Sequence, residues 1–169
     1  FCDDIKYLPV ILKNKCVSSL ITFPEHIDSF RDKNIGLISS KSPRLDFFKV
    51  HNNLEIKNKN FSTKIGKNTS FSNTCIISKN NVSIGKNCFI EDNVIIHSNV
   101  EIGNNVIIRA GSILGGQGYQ FWKYDNNILS VKHFGKVEIN DNVEIKEFCT
   151  IHSALFNWDK TSVGLNTKI

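Results

Sequence analysis

Large aliphatic side chains recur at a six-residue spacing between residues 82 and 114. They are Ile84, Ile90, Ile96, Ile102, Ile108 and Leu114. A smaller residue stands two positions before each one: Val82, Cys88, Val94, Val100, Val106 and Ser112. Three positions after the first five stand Asn87, Asn93, Asn99, Asn105 and Gly111. Amphipathic helices repeat every 3.6 residues and half-buried strands every second residue, so neither explains this pattern.

A six-residue repeat with one turn-former per unit is typical of a parallel β-helix built from hexapeptides. Each hexad supplies a short strand, whose large aliphatic faces the interior, and a corner at which Asn or Gly tolerates left-handed backbone geometry. Three hexads close one coil, which predicts that three pairs of residues stack: Ile84 on Ile102, Ile90 on Ile108, and Ile96 on Leu114. The step from Ile77 to Ile84 is one residue longer than a hexad, which predicts one irregular corner.

Residues 1–53 lack the repeat and contain all three prolines of the chain. Their apolar spacing and turn residues predict a small α/β lobe. The predicted elements are a helix over 5–14, strands over 17–23 and 34–39, and a helix from Ser42-Pro43 to Val50. Residues 54–169 are predicted to form the β-helix, so the fold class is mostly β with a small α/β lobe in front.

Two insertions interrupt the predicted β-helix, at residues 115–136 and 152–162. The first carries the aromatic residues Tyr119, Phe121, Trp122 and Tyr124. The second carries Phe156 and Trp158, and it replaces one hexad position, because Val163 and Ile169 return to the register. Loops this long inside a compact fold are usually functional.

Composition narrows the possible functions. The net charge is +5 and the lysines are dispersed, so nucleic acid binding is not indicated, whereas an anionic substrate such as a nucleotide sugar is favoured. No apolar run approaches the ~18 residues of a membrane span. Five cysteines without a Cys-x-x-Cys pair indicate packing residues in a reducing compartment, hence the cytoplasm. His97, His133 and His152 are interpreted as lying far apart on unrelated hexads, so no metal site is predicted.

Four stretches carry a more specific resemblance. They are Phe1-Cys2-Asp3-Asp4-Ile5-Lys6-Tyr7-Leu8, Gly115-Gly116-Gln117-Gly118-Tyr119-Gln120-Phe121, residues 134–145, and Thr150-Ile151 with residues 161–164. Together with the hexads they resemble the UDP-3-O-acylglucosamine N-acyltransferases of lipid A synthesis. The resemblance covers nearly the whole chain, and it implies a left-handed coil and a homotrimer.

The resemblance also implies an activity. Enzymes of this family move an acyl group from the thioester of an acyl carrier protein to the amine of a UDP-linked amino sugar, with no bound cofactor. One alternative is a coenzyme A-dependent N-acetyltransferase that acts on a nucleotide amino sugar of a surface polysaccharide. Another, from a different class, is a non-catalytic trimeric scaffold or binding module.

The family pattern assigns candidate site residues. It places uridine against Phe1, Asp4 and Tyr7. Gly118, Tyr119 and Phe121 in the first insertion, and His133 at its end, are the other candidate substrate contacts. The alternative for Tyr119 and Phe121 is packing on a neighbouring subunit, and the alternative for His133 is ordering of the first insertion. His152 is the candidate catalytic residue within the sequence, since the general-base histidine of the family lies beyond the equivalent of Ile169. Two positions depart from the family. Asp4 replaces an asparagine and only accepts hydrogen bonds when ionised, and His152 replaces an aspartate.

Overall fold

The computed structural model describes residues 1–54 and 60–169. Residues 55–59, near the start of the predicted β-helix, lie outside the described residues. The chain divides into two compact units. The first comprises Phe1–Glu55 and Phe121–Val131, and the second comprises Ile56–Gln120 and Lys132–Ile169. The first unit therefore adds a segment of the first insertion to the predicted lobe.

The lobe part of the first unit contains two short helices and a two-stranded sheet. Its elements are a 3₁₀ turn at Ile5–Tyr7, α1 at Leu8–Lys13, β1 at Ser19–Thr22, a 3₁₀ turn at Pro24–Phe30, β2 at Gly36–Ser39 and α2 at Pro43–Asn52. β1 and β2 are parallel, with Leu20 opposite Leu37. Leu20 and Phe30 are buried in the core of this unit. Among the described residues, no helix is long and apolar enough to cross a membrane.

The first insertion contains a β-hairpin instead of an irregular loop. β12 at Phe121–Tyr124 pairs antiparallel with β13 at Asn127–Ser130. The hairpin lies along α2: the Asn52 amide donates to the carbonyl of Ser130 at 2.8 Å, and the guanidinium of Arg44 lies 5.0 Å from the Trp122 ring centroid. These contacts to α2 make the hairpin part of the first unit.

The second unit is a left-handed parallel β-helix with three faces. The first face consists of β3 (Lys64–Ile65), β6 (Val82–Ile84), β9 (Val100–Ile102), β14 (Lys136–Ile139) and β17 (Lys160–Val163). The second consists of β4 (Ser70–Phe71), β7 (Phe89–Ile90), β10 (Ile107–Ile108) and β15 (Glu144–Ile145), and the third of β5 (Ile76–Ile77), β8 (Ile95–Ile96), β11 (Ile113–Gly116) and β16 (Thr150–His152). All three predicted stacking pairs are confirmed by the strand register.

The interior of the coil is a continuous aliphatic column. Ile90, Ile96 and Ile108 are at most 1% exposed, and the smaller Val82, Val94 and Val106 beside them are fully buried. Full burial of such a side chain stabilises the fold by about 1.5–3 kcal/mol. Because each coil contacts only its neighbours, stability accumulates from coil to coil.

Asparagine occupies most corners of the coil in the left-handed conformation, as predicted. Asn87, Asn93, Asn99 and Asn105 have φ between 55° and 63°, and Gly111 has φ 72°. At the corner between the first and second faces, the side-chain amide of each asparagine donates to the next one at 3.1–3.3 Å. This asparagine ladder runs through Asn68, Asn87, Asn105, Asn142 and Asn166. The same side chain therefore suits the backbone of the corner and bonds neighbouring coils to each other.

Every departure from the six-residue step falls at one corner, between the third face and the first. The seven-residue step joins β5 to β6, the first insertion joins β11 to β14, and the second joins β16 to β17. The coil nevertheless stays in register, since Ile139 pairs with Ile102 and Val163 pairs with Ile139. This third-to-first corner is where the chain leaves the repeat.

The asparagine ladder gives a test of the corner geometry. Asn105→Ala should lower the free energy of unfolding by about 3–4 kcal/mol, because alanine strains the left-handed corner by roughly 1–2 kcal/mol and two ladder hydrogen bonds of about 1 kcal/mol each are lost. Asn105→Gly is the matched control, since glycine accepts the conformation and loses only the ladder bonds. Urea unfolding measures both variants, and equal losses would contradict the role of backbone conformation.

Candidate functional site

The third-to-first corner brings histidines from distant parts of the chain together. His97 follows Ile96 and His152 follows Ile151, and both isoleucines pair with Leu114 of the coil between them. The interpretation that His97 and His152 lie on unrelated hexads is therefore wrong. The first insertion separates the two residues along the sequence and hides their common position in the coil.

A glycine segment, Gly115–Gly118, passes among the histidines. A Cβ atom on Gly115 would lie 3.2 Å from Cβ of His97, and one on Gly116 would lie 3.5 Å from Cδ2 of His152. A Cβ atom on Gly118 would overlap Cε1 of His133. Gly115 also has φ 83°, which side chains rarely adopt. Each glycine thus lies near a different histidine. Packing leaves no room for a Cβ atom at Gly115, where it would also meet Val100, or at Gly118, whereas Gly116 has room for one.

His133 is held in one tautomer and one position. Its Nδ1 lies 2.7 Å from the carbonyl oxygen of Ser153, which only accepts, so Nδ1 carries a proton. Nε2 is buried and has no hydrogen-bond partner within the described part of the chain. The main-chain N–H of His133 donates to Gln117 at 2.8 Å, and the Gln117 amide donates back to the carbonyl of His133 at 3.2 Å.

Hydrogen bonds also tie the start of the second insertion to the glycine segment. The N–H of Ser153 donates to the carbonyl of Gly116 at 2.9 Å, and its hydroxyl donates to the carbonyl of Gly115 at 3.1 Å. The N–H of Gly135 donates to the carbonyl of Ala154 at 2.9 Å. The two insertions are therefore fixed to each other where they leave the coil.

His152 differs from His133 in its surroundings. Its side chain is half-buried, and within residues 1–54 and 60–169 its imidazole makes no hydrogen bond. His97 is exposed on the neighbouring position of the corner. An imidazole that is partly enclosed, with nitrogens that the protein leaves unbonded, has the chemistry of a general acid or base.

The predicted uridine-binding residues lie in the first unit. The Phe1 ring centroid is 5.0 Å from that of Phe47. Asp4 accepts from the N–H of Lys6 at 3.0 Å, which caps the 3₁₀ turn, and pairs with the Lys6 ammonium at 2.7 Å. Hydrogen bonds from Lys6 lower the pKa of the Asp4 carboxyl, so this group is an ionised acceptor. Tyr7 is about half exposed, with the Lys6 ammonium 4.9 Å from its ring centroid.

The predicted site residues fall into two groups. Phe1, Asp4, Tyr7 and Phe121 belong to the first unit, whereas Gly118, Tyr119, His133 and His152 belong to the second. Gly118 contacts His133, while Tyr119 is 88% exposed.

Sequence reasoning missed Gln117 and Ser153, whose contacts are largely with main-chain atoms. The adjacent glycines Gly115 and Gly116 were a visible signal of close packing.

The absence of a metal site stays a prediction. Across the described ranges, no group of three His, Cys, Asp or Glu side chains is placed to hold a metal ion. The imidazoles of the corner can themselves transfer protons and bind a ligand.

The fold and the corner together define a parallel β-helix protein with a histidine-rich, glycine-lined site. Residues 81–116 match the family model described as bacterial transferase hexapeptide (six repeats). The match runs through β6 to β11 and ends within the glycine segment. It supports an acyltransferase in general terms and specifies neither the acceptor nor the donor.

Substitutions in the glycine segment test the packing of the site. Gly118→Ala should destabilise the protein by about 1–3 kcal/mol, because its methyl group overlaps the His133 ring. Gly116→Ala is the matched control, since its methyl group meets His152 at an ordinary contact distance. Thermal unfolding measures the stability of both, and the imidazole ¹⁵N shifts report the ring of His133. A Gly118→Ala variant with unchanged stability and unchanged His133 shifts would contradict this packing.

Proposed function

We propose that this protein transfers an acyl group from a thioester donor to the amine of a UDP-linked amino sugar, as in lipid A synthesis. The observation that carries the proposal is the convergence of His133 and His152 on one glycine segment of a transferase-type hexapeptide coil. Proton transfer to an imidazole and close approach to a glycine-lined backbone are what acyl transfer needs.

His152 is the proposed general base. It accepts a proton from the sugar amine as the nitrogen attacks the thioester carbonyl. The C–N bond forms, the tetrahedral intermediate expels the thiolate, and the proton on His152 goes to the leaving sulfur. Main-chain N–H groups of the glycine segment are the proposed oxyanion donors, since a chain without Cβ atoms can approach the reacting oxygen closely.

His133 is proposed to support this site in two ways. Its bond to the Ser153 carbonyl fixes the residue next to His152, and its ring packs on Gly118. Both contacts fix the geometry of the segment on which the acyl group would lie. Small displacements of positioned groups reduce rates strongly, so this packing matters for turnover.

Uridine recognition is assigned to the first unit, through Phe1, Asp4 and Tyr7. The aromatic faces of Phe1 and Tyr7 are partly exposed and suit stacking on a base. The ionised Asp4 can accept a hydrogen bond from the imide N–H of uracil with lone pairs that Lys6 does not use. Tyr119 and Phe121 are proposed to contact the sugar or the acyl chain.

A homotrimer is the proposed assembly. The outward-facing residues Ile76, Ile95 and Ile113 of the third face lie in register as an aliphatic ladder, and Ile76 is 63% exposed. Ile95 and Ile113 are half-buried, so the stripe is partly exposed. A partly exposed apolar stripe favours a protein contact surface. Light scattering of the purified protein measures the subunit number.

The activity is tested with the full-length protein, a UDP-linked amino sugar, and an acylated carrier protein or acyl-coenzyme A. We expect turnover with the carrier protein, and turnover with acyl-coenzyme A alone would favour the acetyltransferase alternative. His152→Gln should lower kcat by at least about 100-fold, because it removes a general base and keeps a polar side chain. His97→Gln, at the corresponding exposed position, is the matched control and should retain most of the activity.

Two outcomes would contradict the proposal. Full turnover by His152→Gln would exclude His152 as the base. A folded protein that turns over neither donor would indicate the non-catalytic scaffold instead.

A further inference from the structure

The first unit contains a small cavity at the start of α2. Its volume is about 160 Å³, and its lining includes Asp3, Lys41, Ser42, Arg44, Leu45 and Trp122. Pockets that enclose a whole small molecule are typically about 300–1,000 Å³. The cavity therefore has room for a compact group such as a phosphate, and the remainder of a larger ligand would lie outside it.

Arg44 is fixed in the wall of this cavity. Its guanidinium carbon lies 5.3 Å from the Phe1 ring centroid and 5.0 Å from that of Trp122, so two aromatic rings contact the cation. Nε of Arg44 is buried and lies 2.8 Å from the Asp3 carboxylate, in an ion pair that lacks the geometry of a hydrogen bond. Within the described residues the terminal nitrogens of Arg44 make no hydrogen bond. An arginine held in this way presents its terminal N–H groups in a fixed orientation that suits a phosphate.

Charge in the cavity favours an anion. Lys41 is exposed at the cavity and forms no ion pair with any residue that the structure describes. The described lining thus contains two cationic side chains, Lys41 and Arg44, against the single carboxylate of Asp3. Asp3 engages Nε of Arg44, which leaves the outer edge of the guanidinium for a ligand.

Trp122 reaches the cavity because the inserted hairpin packs along α2. The Lys49 ammonium lies 5.3 Å from the Tyr124 ring centroid, and Asn52 bonds to Ser130. These two contacts continue along the helix from Arg44 and hold the hairpin against it. The first insertion therefore supplies one wall of a cavity whose other walls come from the lobe.

We propose that this cavity is a phosphate-binding subsite, in which Arg44 and Lys41 bind the diphosphate of a nucleoside diphosphate ligand. Arg44 also contacts Phe1, the residue proposed to stack on uracil, so one ligand could contact both. The identity of the ligand depends on the proposed function, whereas the phosphate chemistry follows from the cavity alone.

Intrinsic fluorescence gives a direct test, because the chain has only two tryptophans. In a Trp158→Phe background, Trp122 is the sole tryptophan and reports events beside Arg44. Titration with inorganic diphosphate, UDP and uridine, with calorimetry as a second readout, should show binding of diphosphate and UDP. Binding should weaken as salt increases, because the contact is ionic.

Variants identify the residues responsible. Arg44→Gln should weaken diphosphate binding by about tenfold or more, as expected for loss of a charge-assisted hydrogen bond. Arg44→Lys should give an intermediate loss, because lysine keeps the charge and lacks the fork. Arg31→Gln is the matched control: Arg31 lies in the same unit and pairs with Asp28, away from the cavity, and its loss should leave binding unchanged.

Three outcomes would overturn this subsite. They are failure of diphosphate to bind, equal binding of uridine and UDP, and equal affinity of the Arg44→Gln and Arg31→Gln variants. Circular dichroism checks that each variant is folded, and Arg44→Lys tests the subsite if Arg44→Gln unfolds. None of these binding measurements depends on acyl transfer. An active transferase that does not bind diphosphate would therefore refute only the subsite. A protein that binds diphosphate and lacks transferase activity would refute only the proposed activity.

Discussion

The register of one coil on the next is the constraint on which the second unit depends. Ile84, Ile102 and Ile139 occupy equivalent interior positions on successive coils, and each is at most 5% exposed. A shift of one residue would turn the interior side chains outward, as in any strand. Additional residues can therefore be accommodated only where the chain turns, and the corners are the places available for insertions.

This constraint explains why the chemistry of the second unit concentrates at one edge. The seven-residue step and both insertions leave the coil at the third-to-first corner, so loop residues and the regular position of His97 lie together there. The repeat gives these residues a rigid base, and the insertions bring side chains that the repeat itself lacks. Functional residues are commonly found on loops positioned by such a scaffold.

The regular parts of the structure were predictable, because each follows from local spacing. The stacking of Ile90 on Ile108 and the left-handed Asn87 and Asn105 can be read from the six-residue repeat. The position of His152 beside the glycine segment could not be predicted, since it depends on how many residues the first insertion adds between coils. The hairpin was also missed: Phe121–Tyr124 has no clear apolar alternation, and its packing on α2 joins residues distant in sequence. The Ser153 carbonyl that fixes His133 is a main-chain group, which leaves no mark in the sequence.

The first insertion contributes to both units through one continuous stretch of chain. Gly115 to Gly118 line the histidines of the coil, and a few residues later Trp122 forms a wall of the cavity at Arg44. Glycine suits positions 115 and 118 because close packing there excludes a side chain. Tryptophan suits position 122 because its broad aromatic face contacts the Arg44 cation. The insertion thus combines two local requirements that the hexapeptide repeat cannot meet, since its interior positions demand aliphatic side chains and its corners favour asparagine or glycine.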